Sequence, residues 1–363
     1  MTKIRKYPAK RSKRGYLWEV AYAKPDGRWT RKRGFETQRD AQLWAEHNGV
    51  SLQTGTYVAP TAGRQLVSDL GKEWLARQSH WKESHRHSQL GSWTTHVEPR
   101  WGNSRIGDIR KSHIESWIAE LSARRSPTVV IRAHGILAGI LDDAVTDHLL
   151  ASNPARGVKN LPRKAKKENV YLTHRQVDQL AKASGEWGPL VYLACYTGLR
   201  WGEIAGLRVK HLNLLKRRIL VRENAVEVGR RIVVGSLKNY EIRDVPVPRF
   251  LVDILAAHCN GKGPDDLLFT APRVGGYIRR PKSGKSWFHT AVKSIGVEGR
   301  FTPHDMRHTS ASLAVQAGAN VKVLQRMLGH KSASLTLDVY ADLFDDDLDS
   351  VAEAMDVARS RAV

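Results

Sequence analysis

The stretch Thr302-Pro303-His304-Asp305-Met306-Arg307-His308-Thr309 places two imidazoles and a guanidinium close together near the C-terminus. Leu328-Gly329-His330 and Tyr340 follow it, and Thr197-Gly198-Leu199-Arg200 precedes it. An arginine can hold the oxygens of a phosphate through two parallel, charge-assisted hydrogen bonds. Together with imidazoles and a tyrosine, two arginines indicate a site in which a tyrosine attacks a DNA phosphodiester.

The chemistry of such an attack gives each side chain a task. Phosphoryl transfer adds negative charge to the nonbridging oxygens, and Arg200 and Arg307 are the candidate clamp for them. A phenol with a pKa near ~10 needs help to ionise, and His304 is the candidate base. His304 and Arg307 are three apart on a predicted helix, so both should face one phosphate. His308 would lie beside them and could orient either group.

Each of these residues also has a simpler interpretation. Tyr340 lies on the apolar stripe of a predicted amphipathic helix, where a tyrosine usually belongs to the core. Arg200 and Glu203 could form a surface ion pair of little energetic value. His330 could be a residue that caps the C-terminus of a helix. The combination of all these motifs in one chain favours a catalytic site, with Glu203 and His308 as supporting residues.

Longer segments around these residues carry a resemblance to a known family. They are YTGLRWGEI (196–204), KNYEIRDVP (238–246), TPHDMRHT (302–309) and LGHKSASLTLDVY (328–340). In the second, a lysine precedes a short strand that ends in Arg-x-Val-Pro. With these segments in the family order, the sequence resembles the tyrosine recombinases, and within them the integrases of temperate phages.

The resemblance implies a mechanism and two further residues. Tyr340 would attack one DNA strand to give a 3′-phosphotyrosyl enzyme and a free 5′-hydroxyl, and the 5′-hydroxyl of a second strand would reverse the reaction. Lys238 would protonate the leaving 5′-oxygen, and His330 would hydrogen-bond a nonbridging oxygen. The covalent link keeps the energy of the phosphodiester bond, so the resemblance implies no ATP and no other cofactor.

The residues around Lys238 agree in part with that role. Strand-like segments 231–237 and 242–247 flank it. They predict a hairpin tip, from which a flexible ammonium could reach into a groove. A solvated turn lysine is the alternative.

Composition independently favours a nucleic-acid partner. The chain carries 59 lysines and arginines against 36 acidic residues, a formal net charge of +23. Residues 1–60 contain 13 basic and five acidic residues, whereas residues 341–363 contain two basic and seven acidic residues. These opposite ends suggest a DNA-binding head and a tail that meets protein.

The N-terminal residues predict a small α+β module. Two strands, Tyr16–Ala23 and 28–34, surround the turn Pro25-Asp26-Gly27, and a helix capped by Thr37 follows at 37–47. In phage integrases a module of this kind grips accessory arm sites. The DNA-facing candidates would then be Arg28, Arg31, Lys32 and Arg33, with a solvated basic strand as the alternative.

The middle of the chain predicts an all-helical domain and a basic linker. The helices are expected at 66–77, 84–97, 111–123 and 127–148, and the last carries apolar residues at helical spacing. This region resembles the core-binding domain of the family. The linker contains Lys164, Lys166 and Lys167, which are expected to follow the DNA backbone.

The remaining residues predict a mostly helical catalytic domain. It begins with a helix at His174–Ala183 capped by Thr173, and it includes one small antiparallel sheet around residues 218–248. The expected fold is therefore mainly α with small β-sheets. We expect an arm-site module at 1–62, a core-binding domain at 63–156, the linker at 157–170, the catalytic domain at 171–345 and an acidic tail helix at 346–363. Docking of that tail on a neighbouring protomer is narrowly favoured over packing in cis.

Several other classes of protein are disfavoured by the sequence. No apolar run approaches the ~20 residues of a membrane span, so we expect no membrane partner and a cytoplasmic location in a bacterial host. Cys195 and Cys259 lack the spacing of a disulfide framework or a zinc site. A histidine-rich segment lacks the ligand spacing of a metal site, and no metal is expected there. Its histidines are His80, His85, His87 and His96.

The favoured function is a site-specific recombinase that integrates phage or other mobile DNA. The expected partners are double-stranded DNA at core and arm attachment sites, three further copies in a tetramer, a host DNA-bending protein and a directionality factor. A type IB topoisomerase shares the chemistry, but the arm module and acidic tail argue against it. An excision or resolution recombinase with the same motifs stays open, and a non-catalytic DNA-binding regulator is less favoured.

Overall fold

The computed structural model describes residues 2–10, 12–24, 27–53, 57–59, 62–165, 169–236, 242–272, 274–343 and 347–361. The chain divides into two compact units, Met1–Ala165 and Lys166–Val363. Both are built mostly of helices, and the β-structure consists of small antiparallel sheets. The expected fold class, mainly α with small β-sheets, is confirmed. Among the described residues, no helix combines the length and the apolar character that crossing a bilayer requires.

The first unit starts with a three-stranded sheet and one helix. The strands β1 (Lys3–Pro8), β2 (Tyr16–Ala23) and β3 (Trp29–Phe35) pair in that order, and α1 (Gln38–Gln53) follows. Strand β1 was not predicted, because its charged residues lack the apolar alternation of a half-buried strand. Its pairing with β2, with Arg5 opposite Glu19, is what makes it a strand.

The two faces of this sheet have different chemistry. Val20 and Tyr22 are buried on one face, and the ring of Tyr22 packs edge-on against Trp44 of α1 at 5.1 Å. On the other face, Glu19 of β2 accepts hydrogen bonds from Arg5 of β1 and Arg33 of β3. The alternation of side chains along each strand thus separates an apolar core from a basic surface.

The rest of the first unit is helical, as predicted. It contains α2 (Val67–Arg77), α3 (Glu83–Ser92), a π-helical turn (Trp93–Val97), α4 (Glu98–Trp101), α5 (Lys111–Ser122) and α6 (Pro127–Thr146). The expected single helix at 84–97 is interrupted by the π-helical turn. The core of this helical part of the first unit includes Trp101, Ile114 and Leu137. Val158 and Leu161, from the predicted linker, pack against this core.

The second unit combines two small sheets with a larger number of helices. Its first helices are α7 (His174–Ala183), α8 (Gly188–Thr197) and α9 (Trp201–Ala205). The strands are β4 (Leu212–Asn213), β5 (Arg218–Val221), β6 (Glu223–Val228), β7 (Arg231–Ser236) and β8 (Arg243–Pro246). Then come α10 (Arg249–Cys259), α11 (Trp287–Ser294), α12 (Asp305–Gln316), α13 (Val321–Leu328), α14 (Ala333–Tyr340) and α15 (Asp347–Ser360). Thr173 caps α7 through a reciprocal capping box with Gln176, as its position predicted.

The pairing of the strands corrects two expectations. One sheet was expected around residues 218–248, but β4, β5 and β8 form one sheet whereas β6 and β7 form another. The strands on either side of Lys238 were expected to make a hairpin. Instead, β7 pairs with β6 and β8 pairs with β5, so that expectation was wrong. Local sequence shows where a strand forms, but the partner is chosen by packing over a longer range.

Candidate active site

Tyr340 is buried at the C-terminal end of α14. It is 1% exposed and packs in an apolar cluster with Ala311, Leu324 and Leu328. Burial raises the pKa of Tyr340 to about 12, although the nearby Arg307 acts in the opposite direction. The phenol is therefore protonated at neutral pH and needs a base before it can attack.

His308 is the histidine that contacts this phenol directly. Its Nδ1 is 2.8 Å from the Tyr340 hydroxyl, with the two rings 5.5 Å apart. This distance meets the geometric requirement for proton transfer between the two groups. The sequence had placed His308 beside the reacting groups, as a supporting residue.

His304 was expected to be the base, but its ring contacts the ring of His308, and it is the ring of His308 that contacts Tyr340. It is the residue before α12 rather than a residue within the helix, and its ring meets the ring of His308 edge-on at 4.9 Å. Burial of the imidazole, followed by the charges of His308 and Arg307, lowers the pKa of His304. The structure thus brings His308 into contact with the tyrosine, and His304 into contact with His308.

Arg307 is held inside the protein by backbone carbonyls. It is 3% exposed on α12, and its Nη1 and Nη2 donate hydrogen bonds to the carbonyls of Gly198 and Leu328, the second at 2.7 Å. Burial, and then the charge of Arg200, lowers the pKa of the Arg307 guanidinium. Two cations so close together in a poorly solvated place favour the binding of an anion.

Arg200 lies at the start of α9 and is held by Glu203. Its backbone N–H and its Nη1 donate to the two carboxylate oxygens of Glu203, both at 2.8 Å. A surface ion pair was the simpler interpretation of this spacing. Glu203 is however 3% exposed, whereas the Arg200 side chain is 36% exposed. The buried carboxylate of Glu203 thus holds Arg200 in place, and the guanidinium of Arg200 remains accessible to solvent.

Arg243 is a member of this cluster that the sequence did not identify as a site residue. It lies on β8, and its Nη1 and Nη2 donate to the carboxylate of Glu203 at 3.0 and 2.7 Å. Burial acts to raise the pKa of Glu203, but the bonds and charge of Arg243, with the charge of Arg200, lower it to about 2. The only signal in the sequence was the arginine of the Arg-x-Val-Pro pattern, to which no role was given.

The C-terminal end of α13 is bound by all three arginines. The carbonyls of three consecutive residues accept one hydrogen bond each: Met327 from Arg243 Nε at 3.2 Å, Leu328 from Arg307 Nη2 and Gly329 from Arg200 Nη2 at 2.9 Å. The end of a helix carries partial negative charge, so cations are favoured there. These bonds fix the turn that precedes His330.

His330 follows directly on that turn. Gly329 ends α13 in the left-handed conformation with φ of 65°, which favours glycine. The Nδ1 of His330 is 3.0 Å from the Thr336 hydroxyl, and its ring is parallel to that of Tyr340 with the centroids 6.3 Å apart. Burial, and then the charge of Arg307, lowers the pKa of His330 to about 4. The imidazole is neutral at pH 7 and can exchange hydrogen bonds without adding charge.

The other predicted residues are distributed as follows. Lys238, Lys166 and Lys167 lie outside the described residues, and Lys164 is exposed. Arg31, Lys32 and Arg33 lie on β3 as expected, and Arg28 directly precedes that strand. Alternation along β3 places Arg31 and Arg33 on the same face as Glu19, with Lys32 on the opposite face. Within the described ranges, there is no group of three or more histidine, cysteine and acidic side chains suited to a metal ion.

The chain is similar to integrases over most of its length. The family model described as "Phage integrase family" matches residues 170–346, and "Phage integrase central domain" matches residues 67–161. The integrase of Mycobacterium phage FRAT1 is 30% identical over 82% of this chain and 92% of that protein.

Two solved structures have the same fold. The Tn1549 transposon integrase in complex with a circular intermediate DNA superposes with a TM-score of 0.68 at 20% identity, over 80% of this chain and 99% of that chain. A lambda integrase tetramer bound to a Holliday junction superposes with a TM-score of 0.59 at 15% identity, over 91% of this chain and 96% of that chain.

Proposed function

The chain belongs to the phage integrase family of tyrosine recombinases, and on that premise we propose that its reaction is carried out by Tyr340, His308 and the arginine cluster. The function is site-specific recombination of DNA. The observation that carries the assignment is the 2.8 Å contact between the Tyr340 hydroxyl and His308, beside two arginines suited to one phosphate.

The proposed cleavage step moves two protons and exchanges one bond. The Oη of Tyr340 attacks the phosphorus and its proton passes to His308. The bond from phosphorus to the 5′-oxygen breaks, and that oxygen takes a second proton, which we assign to Lys238 below. Arg200 and Arg307 bind the nonbridging oxygens, and His330 hydrogen-bonds one of them. Stabilisation of the charge that develops there is usually a large contribution to catalysis.

The experiment that tests this assignment uses a nicked suicide DNA, from which the strand beyond the cut diffuses away and leaves the protein trapped. Wild-type protein should form an adduct that resists denaturant, and Tyr340→Phe should form none, since it lacks the attacking oxygen. His308→Gln should form the adduct ~10²- to 10⁴-fold more slowly, the usual value of general base catalysis. His304→Gln is the matched control and should lose less.

Two results would contradict the assignment. An adduct formed by Tyr340→Phe would show that another residue is the nucleophile. A greater loss in His304→Gln than in His308→Gln would return the role of base to His304. Binding to uncleaved DNA should be measured for each variant, because an unchanged dissociation constant separates a chemical defect from a folding defect.

Lys238 is proposed as the acid that protonates the leaving 5′-oxygen. Its support is the position of the residue in the lysine segment of the family, because Lys238 itself lies outside the described residues. Lys238→Ala should cleave ordinary DNA ~10²- to 10⁴-fold more slowly. A substrate with sulfur at the bridging 5′ position should restore the rate, because a thiolate leaves without an acid. Equal defects on both substrates would reassign Lys238 to binding.

The partners are proposed from the distribution of charge and from the related structures. The N-terminal sheet would bind arm sites, the helical domain and the basic linker would bind core sites, and four copies would assemble on two DNA molecules. The related integrases bound to DNA, and the lambda tetramer, support this arrangement. We further propose that a host DNA-bending protein and a directionality factor act with the protein, in the cytoplasm of a bacterial host.

A further inference from the structure

Arg243 joins two parts of the site that are distant in the sequence. Its fork binds both carboxylate oxygens of Glu203, and its Nε donates to the carbonyl of Met327. The side chain is only 10% exposed. Because a guanidinium is planar and its donors are fixed in direction, these three bonds together determine where the carboxylate and the carbonyl lie.

Arg243 also packs closely against the turn that precedes His330. A Cβ on Gly329 would lie 3.1 Å from both Cδ and Nε of Arg243, which is closer than nearly all such contacts. Gly329 therefore serves both the left-handed backbone and the close approach of this side chain. A change in the position of Arg243 would therefore act on Gly329, the residue that directly precedes His330.

The charges around Glu203 give Arg243 a second task. Glu203 is ionised at neutral pH and binds Arg200, one of the two arginines proposed to hold the phosphate. Three guanidiniums and one carboxylate leave two net positive charges in the cluster. A phosphodiester to which a phenolate oxygen has added carries two negative charges, so the cluster matches it. Without Arg243, the carboxylate would neutralise Arg200 and leave one positive charge.

We propose that Arg243 is a positioning residue for DNA cleavage. It binds Glu203 so that this carboxylate does not neutralise Arg200, and it holds the turn at Met327 so that His330 reaches the phosphate. Arg243 itself does not touch the substrate. The proposal rests on the function proposed above, since it concerns the same site.

The test is a double-variant cycle measured as the rate of adduct formation on a suicide DNA in a single turnover. Arg243→Met should slow cleavage ~10²-fold, the loss typical of one stabilising donor, with little change in the dissociation constant for DNA. Glu203→Gln should slow the wild-type protein. The same substitution in the Arg243→Met background should accelerate cleavage at least about tenfold, because the uncompensated carboxylate is then gone.

The reversal in the sign of the Glu203→Gln effect decides the question. A merely structural role predicts that the double variant is as slow as Arg243→Met or slower, and that the rates follow the melting temperatures. That result would overturn the proposal, as would a rate for Arg243→Met within about threefold of wild type. Arg218→Met, an exposed arginine on the neighbouring strand β5, is the matched control and should cleave normally.

Two further measurements keep the result interpretable. Arg243→Lys should be intermediate, because it keeps the charge but cannot bind both Glu203 oxygens and the Met327 carbonyl at once. If Arg243→Met does not fold, Arg243→Gln, which is also uncharged, provides the same cycle with and without Glu203→Gln, judged by the same reversal of sign. A Tyr340→Phe protein run in parallel tests the proposed function separately, since an adduct there would refute the nucleophile and not the role of Arg243.

Discussion

Two glutamates of this chain are each bound by arginines, but in different surroundings. Glu203 of the second unit is 2% exposed at its side chain, and Glu19 of the N-terminal sheet is 3% exposed. The arginines differ far more than the carboxylates do. Arg243 is 10% exposed, whereas Arg5 and Arg33 are 52% and 57% exposed.

The difference shows how desolvation changes the use of the same ion pair. Glu19 is covered by arginine side chains that themselves remain in water, so its pairs are screened. In the proposed arm-site contact, these arginines would exchange a carboxylate for a DNA phosphate. Glu203 and Arg243 lie where water is largely excluded, and backbone carbonyls complete their bonding. The first arrangement suits reversible binding, and the second suits a fixed electrostatic environment.

The largest expected effect is the loss of a buried arginine. Arg307→Ala should reduce cleavage of core DNA ~10²- to 10³-fold, because it removes donors from charge that develops in the transition state. Arg33→Ala, in the exposed cluster, should leave core cleavage unchanged. It should instead lower the slope of log affinity against log salt for arm DNA by ~0.9 if it contacts one phosphate.

Single-turnover cleavage and salt-dependent binding, measured on both variants, check this pair. Equal losses of core cleavage in the two variants would contradict the separate roles that we give to the buried arginines of the second unit and the exposed arginines of the N-terminal sheet. An unchanged salt slope in Arg33→Ala would place the DNA contact of the sheet elsewhere. Circular dichroism of Arg307→Ala is needed to show that the protein still folds.

The two glutamates themselves should differ in their effect on stability. Glu203→Ala leaves the buried Arg243 without a carboxylate, and the free energy of unfolding should fall by ~3–5 kcal/mol. Glu19→Ala leaves arginines that are already solvated, so the loss should be at most about 1 kcal/mol. Denaturant unfolding of both variants measures this. A larger loss for Glu19→Ala would mean that the exposed pairs are not screened as we argue.

Much of the helical structure could be predicted because its signals are local. The start of α7 follows from its capping residue Thr173, which lies next to the helix in the sequence. The helix α6 follows from apolar residues that recur at helical spacing along it. Signals of this kind do not determine strand pairing. Strand β1 depends on β2 rather than on its own residues, and the partner of β8 is β5 and not the preceding β7.

The site was predictable in composition but not in contacts. The motifs identified Tyr340, Arg200, Arg307 and His330 as candidates, and the structure brings all four together. Which histidine meets the tyrosine depends on how α14 packs against α12, and the sequence carries no local signal for that. Arg243 was missed for the same reason, because its carboxylate partner is 40 residues away in the chain.

The smallest expected effect is a pH dependence of stability, which separates the buried histidines of the second unit from Glu19 of the N-terminal sheet. Burial lowers the pKa of His304 and His330 to about 4, below the ~6.5 of an unfolded histidine. Their contribution to stability is fully present above pH ~6.5 and is lost as the pH falls toward 4, because the unfolded chain then binds more protons.

The carboxylates respond at lower pH, and this gives the experiment its control. The pKa of Glu19 is lowered by its hydrogen bond to Arg5, so its contribution is lost only below about 4.5. Between pH 7.5 and 5.5 we therefore expect the melting temperature to fall by a few degrees, at about 2–4 °C per kcal/mol. Glu19→Gln should show the same fall, and a His304→Gln, His330→Gln double variant should show a smaller one in calorimetry. A double variant that falls as far as wild type would assign the acid sensitivity to groups outside the catalytic site.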